Sequence, residues 1–178
     1  MAAPASDALE RARRVRLMLF DVDGILTDGT LWYGPGGEAL KGFNALDGHG
    51  LKMLAGSGVR VGILSGRSSP AVSARAAELE IDLVFQGVSD KRARYEALLA
   101  ELGMPSESTG YMADDVVDLP VLVRCGFACT VREAPEPVRS RAHYVCSAAA
   151  GRGAAREACE YLMRAQGTLA PALEAYTR

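Results

Sequence analysis

The run Leu17-Met18-Leu19-Phe20 is apolar at every position and breaks off into Asp21-Val22-Asp23-Gly24. A short apolar run that ends in a glycine-bounded polar turn reads as a strand buried on both faces. Strand alternation puts Asp21 and Asp23 on one side if the strand continues that far. Two carboxylates packed at the end of a buried strand repel each other unless positive charge lies between them, and a hard divalent cation such as Mg²⁺ suits that place. Taken alone, the pair reads better as a solvated acidic turn, because acids commonly sit in turns. The rest of the chain decides between the two.

Five more strand-like runs come after it, at residues 59–64, 82–87, 109–113, 127–131 and 144–146. Helical stretches alternate with them. A short one covers Leu51 to Ala55 and closes at Gly56 and Gly58, a second opens at Ser69-Pro70 and runs to Leu79, and an amphipathic one spans Ser89 to Leu102 with Lys91 in its first turn. A last helix begins after Gly151-Arg152-Gly153 and runs to about Gln166. This alternation predicts an α/β fold, doubly wound around a mainly parallel sheet. Between Thr30 and Phe43 two apolar-aromatic runs flank Gly34-Pro35-Gly36-Gly37, the pattern of a β-hairpin. No Gly-Lys-Ser/Thr comes after those glycines, so a phosphate-binding loop is not indicated.

At 178 residues the chain is expected to form one domain, with the hairpin flap at 30–43 and a C-terminal helical tail at 151–178. Twenty Lys and Arg against 22 Asp and Glu give no electrostatic case for nucleic acid or an anionic membrane surface. The N-terminal stretch up to Arg16 is charged and lacks the apolar core of a secretory signal, and no run approaches the ~20 apolar residues of a bilayer span. Cys125, Cys129, Cys146 and Cys159 contain no C-x-x-C pair, which points to reduced, buried thiols. A cytoplasmic protein is expected.

In an open parallel sheet the ligand crevice lies beyond the carboxyl ends of the strands. The first strand ends in Asp21 and Asp23, the second in Ser65-Gly66-Arg67, and the fourth in Asp114-Asp115 with Asp118 close behind; Lys91 comes after the third. That mixture of acids, a hydroxyl and a cation is what phosphoryl transfer requires, because the reacting group carries charge on several oxygens. Asp21 is the expected nucleophile, forming an aspartyl-phosphate. Asp23 is the expected acid for the leaving alcohol and base for the attacking water. Asp21, Asp114 and the backbone carbonyl of Asp23 are the expected Mg²⁺ ligands. Ser65 is expected to bind the phosphoryl oxygens and Lys91 to offset their charge, with Gly66, Asp115 and Asp118 in support.

The order D-x-D-G, Ser-Gly-Arg, Lys, Asp-Asp-x-x-Asp resembles the haloacid dehalogenase superfamily from residue 17 to 166. Within it, DVDGILTDG, LKGFN, QGVSDK, DDVVDLPV and GRGAARE are similar to the motifs of the small, capless 3-deoxy-D-manno-octulosonate 8-phosphate (Kdo 8-phosphate) phosphatases. The resemblance implies Mg²⁺-dependent hydrolysis of a phosphorylated sugar acid on the route to lipopolysaccharide. It also implies a homotetramer whose hairpins meet and in which a neighbour's C-terminal segment closes the site. Carried over by position, the substrate residues are Asn44, Ala45, Leu46, Asp47, Gly48, Lys52, Arg67, Arg75, Lys91 and Arg152. Arg67 and Arg75, eight apart, share a face if both lie on the helix.

The chain departs from the family pattern at three positions. Leu46 and Lys52 stand where arginines are common, and Ala113 replaces a glycine before Asp114. The first two concern substrate, since a planar bidentate partner for an acid is lost at each. Two other readings remain open on sequence alone. A related phosphatase of a nonulosonate 9-phosphate is favoured by Leu46 and disfavoured by Arg67. A phospho-accepting receiver domain uses similar residue types, but its lysine comes last, whereas Lys91 precedes Asp114.

Overall fold

The structure, a computed structural model, describes residues 5–177; the start of the charged N-terminal stretch, residues 1–4, lies outside them. Six strands form one parallel sheet: β1 (Leu17–Phe20), β4 (Arg60–Leu64), β5 (Leu83–Phe85), β6 (Thr109–Met112), β7 (Phe127–Val131) and β8 (Tyr144–Cys146). Their order is β5-β4-β1-β6-β7-β8, with β1 in the middle. All four residues of β1 are buried, as the apolar run requires, and Phe20 pairs with Ile63 on one side and Met112 on the other. The chain winds outward from β1 in one direction through β4 and β5, then returns to wind the other way through β6, β7 and β8. Crossovers between parallel strands are right-handed as a rule, which puts helices on both faces of a sheet wound in two directions. One group of contacting helices is α1 (Ala5–Arg14), α2 (Ala45–Gly56) and α7 (Ala154–Ala165); in the other, α4 (Lys91–Leu102) meets α5 (Leu119–Leu122).

The hairpin consists of β2 (Trp32–Gly34) and β3 (Gly37–Leu40), paired antiparallel and separate from the main sheet. Its apolar side chains Trp32, Tyr33 and Leu40 are exposed. Between β3 and β4, α2 is much longer than the sequence suggests. It starts at Ala45 behind Asn44, whose side chain accepts a hydrogen bond from the Leu46 amide. Gly48 and Gly50 lower local helix propensity and so hide this first half. Packing explains Gly50: a Cβ there would lie 2.9 Å from Cα of Arg156, so only glycine lets α2 approach α7 so closely. Gly50→Ala is therefore expected to lower stability by about 1–2 kcal/mol despite alanine's better propensity. Urea unfolding that shows a gain would mean α7 can move away.

α3 (Pro70–Glu78) opens with Pro70 at its first position, while α4 starts at Lys91, two residues later than expected, with Asp90 accepting from the Ala93 amide. α6 (Glu136–Arg139) lies between β7 and β8, and α8 (Leu169–Glu174) closes the chain. The expected tail divides in two. Ala154, Ala155, Ala158, Cys159, Leu162 and Met163 of α7 are core residues, and beyond α7 Leu169 of α8 is also buried. All four cysteines are buried free thiols.

Candidate active site

β1 ends at the middle of the sheet, where the winding direction reverses and the strand ends on either side diverge. Asp21 is the first residue past β1, and its amide donates to the Met112 carbonyl of β6. Its carboxylate lies 3.1 Å from Nζ of Lys91, which the start of α4 delivers to the same point. Lys91 Nζ also contacts Asp118 Oδ1 at 2.5 Å and the Tyr111 hydroxyl at 3.1 Å. Tyr111 in turn donates to Asp118 Oδ1 at 2.6 Å. Asp21, Lys91, Tyr111 and Asp118 are all buried.

Immediately after Asp21 the chain turns from Val22 to Leu26. Gly24 within this turn has φ +83°, and a Cβ there would sit 2.0 Å from Oδ2 of Asp114. The carboxylate at the end of β6 thus occupies the space a side chain would fill, which makes this glycine indispensable. Asp21, Asp114 and Asp118 each bring a carboxylate oxygen within 4.8 Å of the others. Burial, then repulsion from Asp118, pushes the Asp21 carboxyl up to about 7. The same causes push Asp114 up to about 6. Among the described residues, Oδ2 of Asp118 is buried without a hydrogen-bond partner. Three crowded carboxylates, one with an orphaned oxygen, fit a small hard cation with oxygen ligands.

The third carboxylate of this cluster is Asp118, expected only in support. The side chain of Asp23 turns elsewhere, forming a short ion pair with Lys41 and lying 3.5 Å from Nε of Arg67. Glu38 binds the same two cations, 3.2 Å from Lys41 and 3.0 Å from Arg67, and Tyr33 adds a hydroxyl 3.0 Å from Arg67. Hydrogen bonds from Ser69, Arg67 and Lys41 hold the Glu38 carboxyl down to about 2. Ser65 is buried at the end of β4, its hydroxyl 3.4 Å from the Arg67 amide. The adjoining Gly66 lies against Lys91, since a Cβ there would sit 3.9 Å from the lysine Cε. Asp115 is exposed and accepts from the Val116 amide, so it caps the turn after Asp114.

The expected substrate residues divide. Arg67 and Lys91 contact the aspartates at the end of β1. Arg67 lies in the loop before α3, not on it, so the shared helical face with Arg75 does not exist. Arg75 instead pairs with Glu78 and reaches the Asn44 carbonyl, passing over Gly48. Asp47 is not turned toward an open cleft: its buried carboxylate accepts from the amides of Gly153 and Arg156 and caps the start of α7. Ala45 and Leu46 are exposed, and Lys52 pairs with Glu80. Arg152 is exposed, 3.9 Å from Asp28.

Two groups of residues at this site escape sequence reading. Tyr111 carries a weak signal, because a tyrosine in a fully buried strand must find a hydroxyl partner. Glu38 and Lys41 carry none, since their partners depend on how the hairpin folds back.

A buried aspartate beside a lysine, with further carboxylates and a serine turn around it at the carboxyl edge of a parallel sheet, is an arrangement suited to phosphoryl transfer. No family model matches the sequence. Over 165 residues the chain is 40% identical to the 3-deoxy-D-manno-octulosonate 8-phosphate phosphatase KdsC of Yersinia pestis, covering 93% of this chain and 88% of the relative. Among solved structures it is similar to a probable YrbI family phosphatase from Pseudomonas syringae, with TM-score 0.95 and 44% identity over 97% and 98% of the two chains. It is also similar to the Moraxella catarrhalis 3-deoxy-D-manno-octulosonate 8-phosphate phosphatase solved with magnesium, phosphate and Kdo, with TM-score 0.93 and 34% identity over 96% and 98%. The chain belongs to the 3-deoxy-D-manno-octulosonate 8-phosphate phosphatase family of the haloacid dehalogenase superfamily.

Proposed function

We propose that this protein hydrolyses 3-deoxy-D-manno-octulosonate 8-phosphate to Kdo and phosphate, with Mg²⁺ as cofactor, in the supply of lipopolysaccharide. The observation that carries the reading is the buried Asp21–Lys91–Asp118 cluster with Asp114 beside it. Relatives of the same fold bear that name. Asp21 attacks phosphorus and takes the phosphoryl group; Asp23 protonates the departing sugar oxygen and then takes a proton from water. Lys91 and Ser65 meet the phosphoryl oxygens. Asp21, Asp114 and the Asp23 carbonyl would hold Mg²⁺, with the Asp118 carboxylate in the same cluster, and the ion would supply neutralising charge to the transferring group. Arg67, paired with Glu38 at 3.0 Å, leaves it for the substrate carboxylate on this reading. Phosphate release from Kdo 8-phosphate, set beside a nonulosonate 9-phosphate and simple sugar phosphates, tests this. A preference for either of the alternatives would remove the substrate assignment and leave the chemistry.

The 178 residues act as a single domain in the cytoplasm on this reading. Among the described residues no helix is long and apolar enough to cross a membrane. The exposed Leu31, Trp32, Tyr33 and Leu40 support a homotetramer built on hairpin contacts. Completion of the site by a neighbour's C-terminal segment belongs to the same reading. Light scattering that returns four chains per particle would agree, and a monomer would end that part of the proposal.

The crowded carboxylates make Mg²⁺ binding dependent on pH. With Asp21 at about 7 and Asp114 at about 6, protons compete with the ion in mildly acidic solution. Mg²⁺ is therefore expected to raise the unfolding temperature more at pH 8 than at pH 5. Equal shifts at both would show that the ion binds elsewhere.

A further inference from the structure

No backbone amide holds the Asp23 carboxylate. Among the described residues its partners are Lys41, in a short ion pair on Oδ1, and Arg67, 3.5 Å from Oδ2. The two cations differ in setting. Arg67 is 41% exposed at its side chain and is shared with Glu38 and Tyr33, so it is free to exchange partners. Lys41 is 1% exposed at its side chain and has Glu38 as its second partner. A lysine buried to that degree loses hydration that only close pairing offsets.

We infer that Lys41 is a positioning residue for Asp23, anchoring one carboxylate oxygen so that the other faces the leaving oxygen once Arg67 turns to the substrate. The inference rests on the hydrolase reading above. As the phosphorus–oxygen bond breaks, its electron pair stays on the leaving oxygen, and the proton on Oδ2 of Asp23 passes to that oxygen. In the second step Oδ2 takes a proton back from the attacking water. Lys41 holds Oδ1 throughout and neither gains nor loses a proton. An acid placed by one buried contact transfers its proton along a defined line, whereas one held only by Arg67 loses its orientation when Arg67 moves.

The test compares leaving groups. An alkyl phosphate needs a proton on its departing oxygen, and p-nitrophenyl phosphate does not. The quantity to read is kcat/KM, which stops at transfer to Asp21 and leaves out the later hydrolysis. In the full chain, Lys41→Met is expected to lower kcat/KM about 30-fold or more for Kdo 8-phosphate and less than about threefold for p-nitrophenyl phosphate. Retained aryl activity also shows that the variant folds. In an Asp23→Asn background the same change adds nothing, and Lys41→Arg restores part of the alkyl rate. Equal losses on both esters, or a full additional loss in the Asp23→Asn background, would overturn the inference and leave Lys41 as a hairpin contact. If the parent ignores Kdo 8-phosphate, glucose 6-phosphate serves as the alkyl ester, so the substrate assignment and the role of Lys41 fail separately.

Discussion

Asp21→Asn is expected to reduce phosphate release from any ester by about 10⁴-fold or more, because the amide cannot accept the phosphoryl group. The same change is expected to stabilise the metal-free protein. Burial and the Asp118 charge disfavour ionised Asp21 in the folded chain, moving its carboxyl from 3.8 to about 7. Below pH 3.8 both folded and unfolded chains hold the proton, and this group contributes nothing to the pH dependence. Between 3.8 and about 7 only the folded chain keeps it, so the parent loses stability as pH rises through that window. Asparagine takes no part in this loss. Urea unfolding without metal should therefore place the variant on the order of 2 kcal/mol above the parent at pH 8, with a smaller difference at pH 5. A variant less stable than the parent at pH 8 would show that the attraction of Lys91 outweighs burial and repulsion together.

Lys91→Met separates metal binding from catalysis. The methionine fills much of the lysine's volume but leaves Asp21 and Asp118 as buried carboxylates without their shared cation. Without metal the variant should lose about 3–5 kcal/mol, the cost of breaking a buried ion pair from one side. Mg²⁺ should recover much of this, since the extra negative charge strengthens its binding. Phosphate release should nevertheless fall on the order of 10²–10³-fold, because the proposed mechanism loses its one fixed positive charge for the phosphoryl oxygens at this point. Calorimetry would show tighter Mg²⁺ binding beside the lower rate. Weaker binding would mean that Lys91 organises the carboxylates rather than opposing the ion.

Much of this architecture is legible in the residues. Local patterns locate all six strands of the sheet, because an apolar run bounded by turn residues has few other places to go. The ends of those strands identify Asp21, Ser65, Lys91 and Asp114 as neighbours, since parallel topology sends them to one edge. The helix at Ala45 is missed because Gly48 and Gly50 argue against it locally, while the approach of Arg156 and Arg75 demands them. The partners of Asp47 are missed for a related reason: its amide donors belong to the start of α7, far along the chain.

By itself, then, the sequence determined the α/β class and the sheet edge at which Asp21, Lys91 and Asp114 meet, because both derive from burial period and chain direction. Only the tertiary structure decided that Asp118 completes the carboxylate cluster and that Lys41 and Glu38 of the hairpin reach Asp23 and its cations. It also decided that Arg67 and Arg75 have separate partners. Those contacts join segments far apart in the chain or lie across a turn whose geometry local propensity leaves open. Their side-chain directions are set by packing and charge in the folded molecule, which no local pattern encodes.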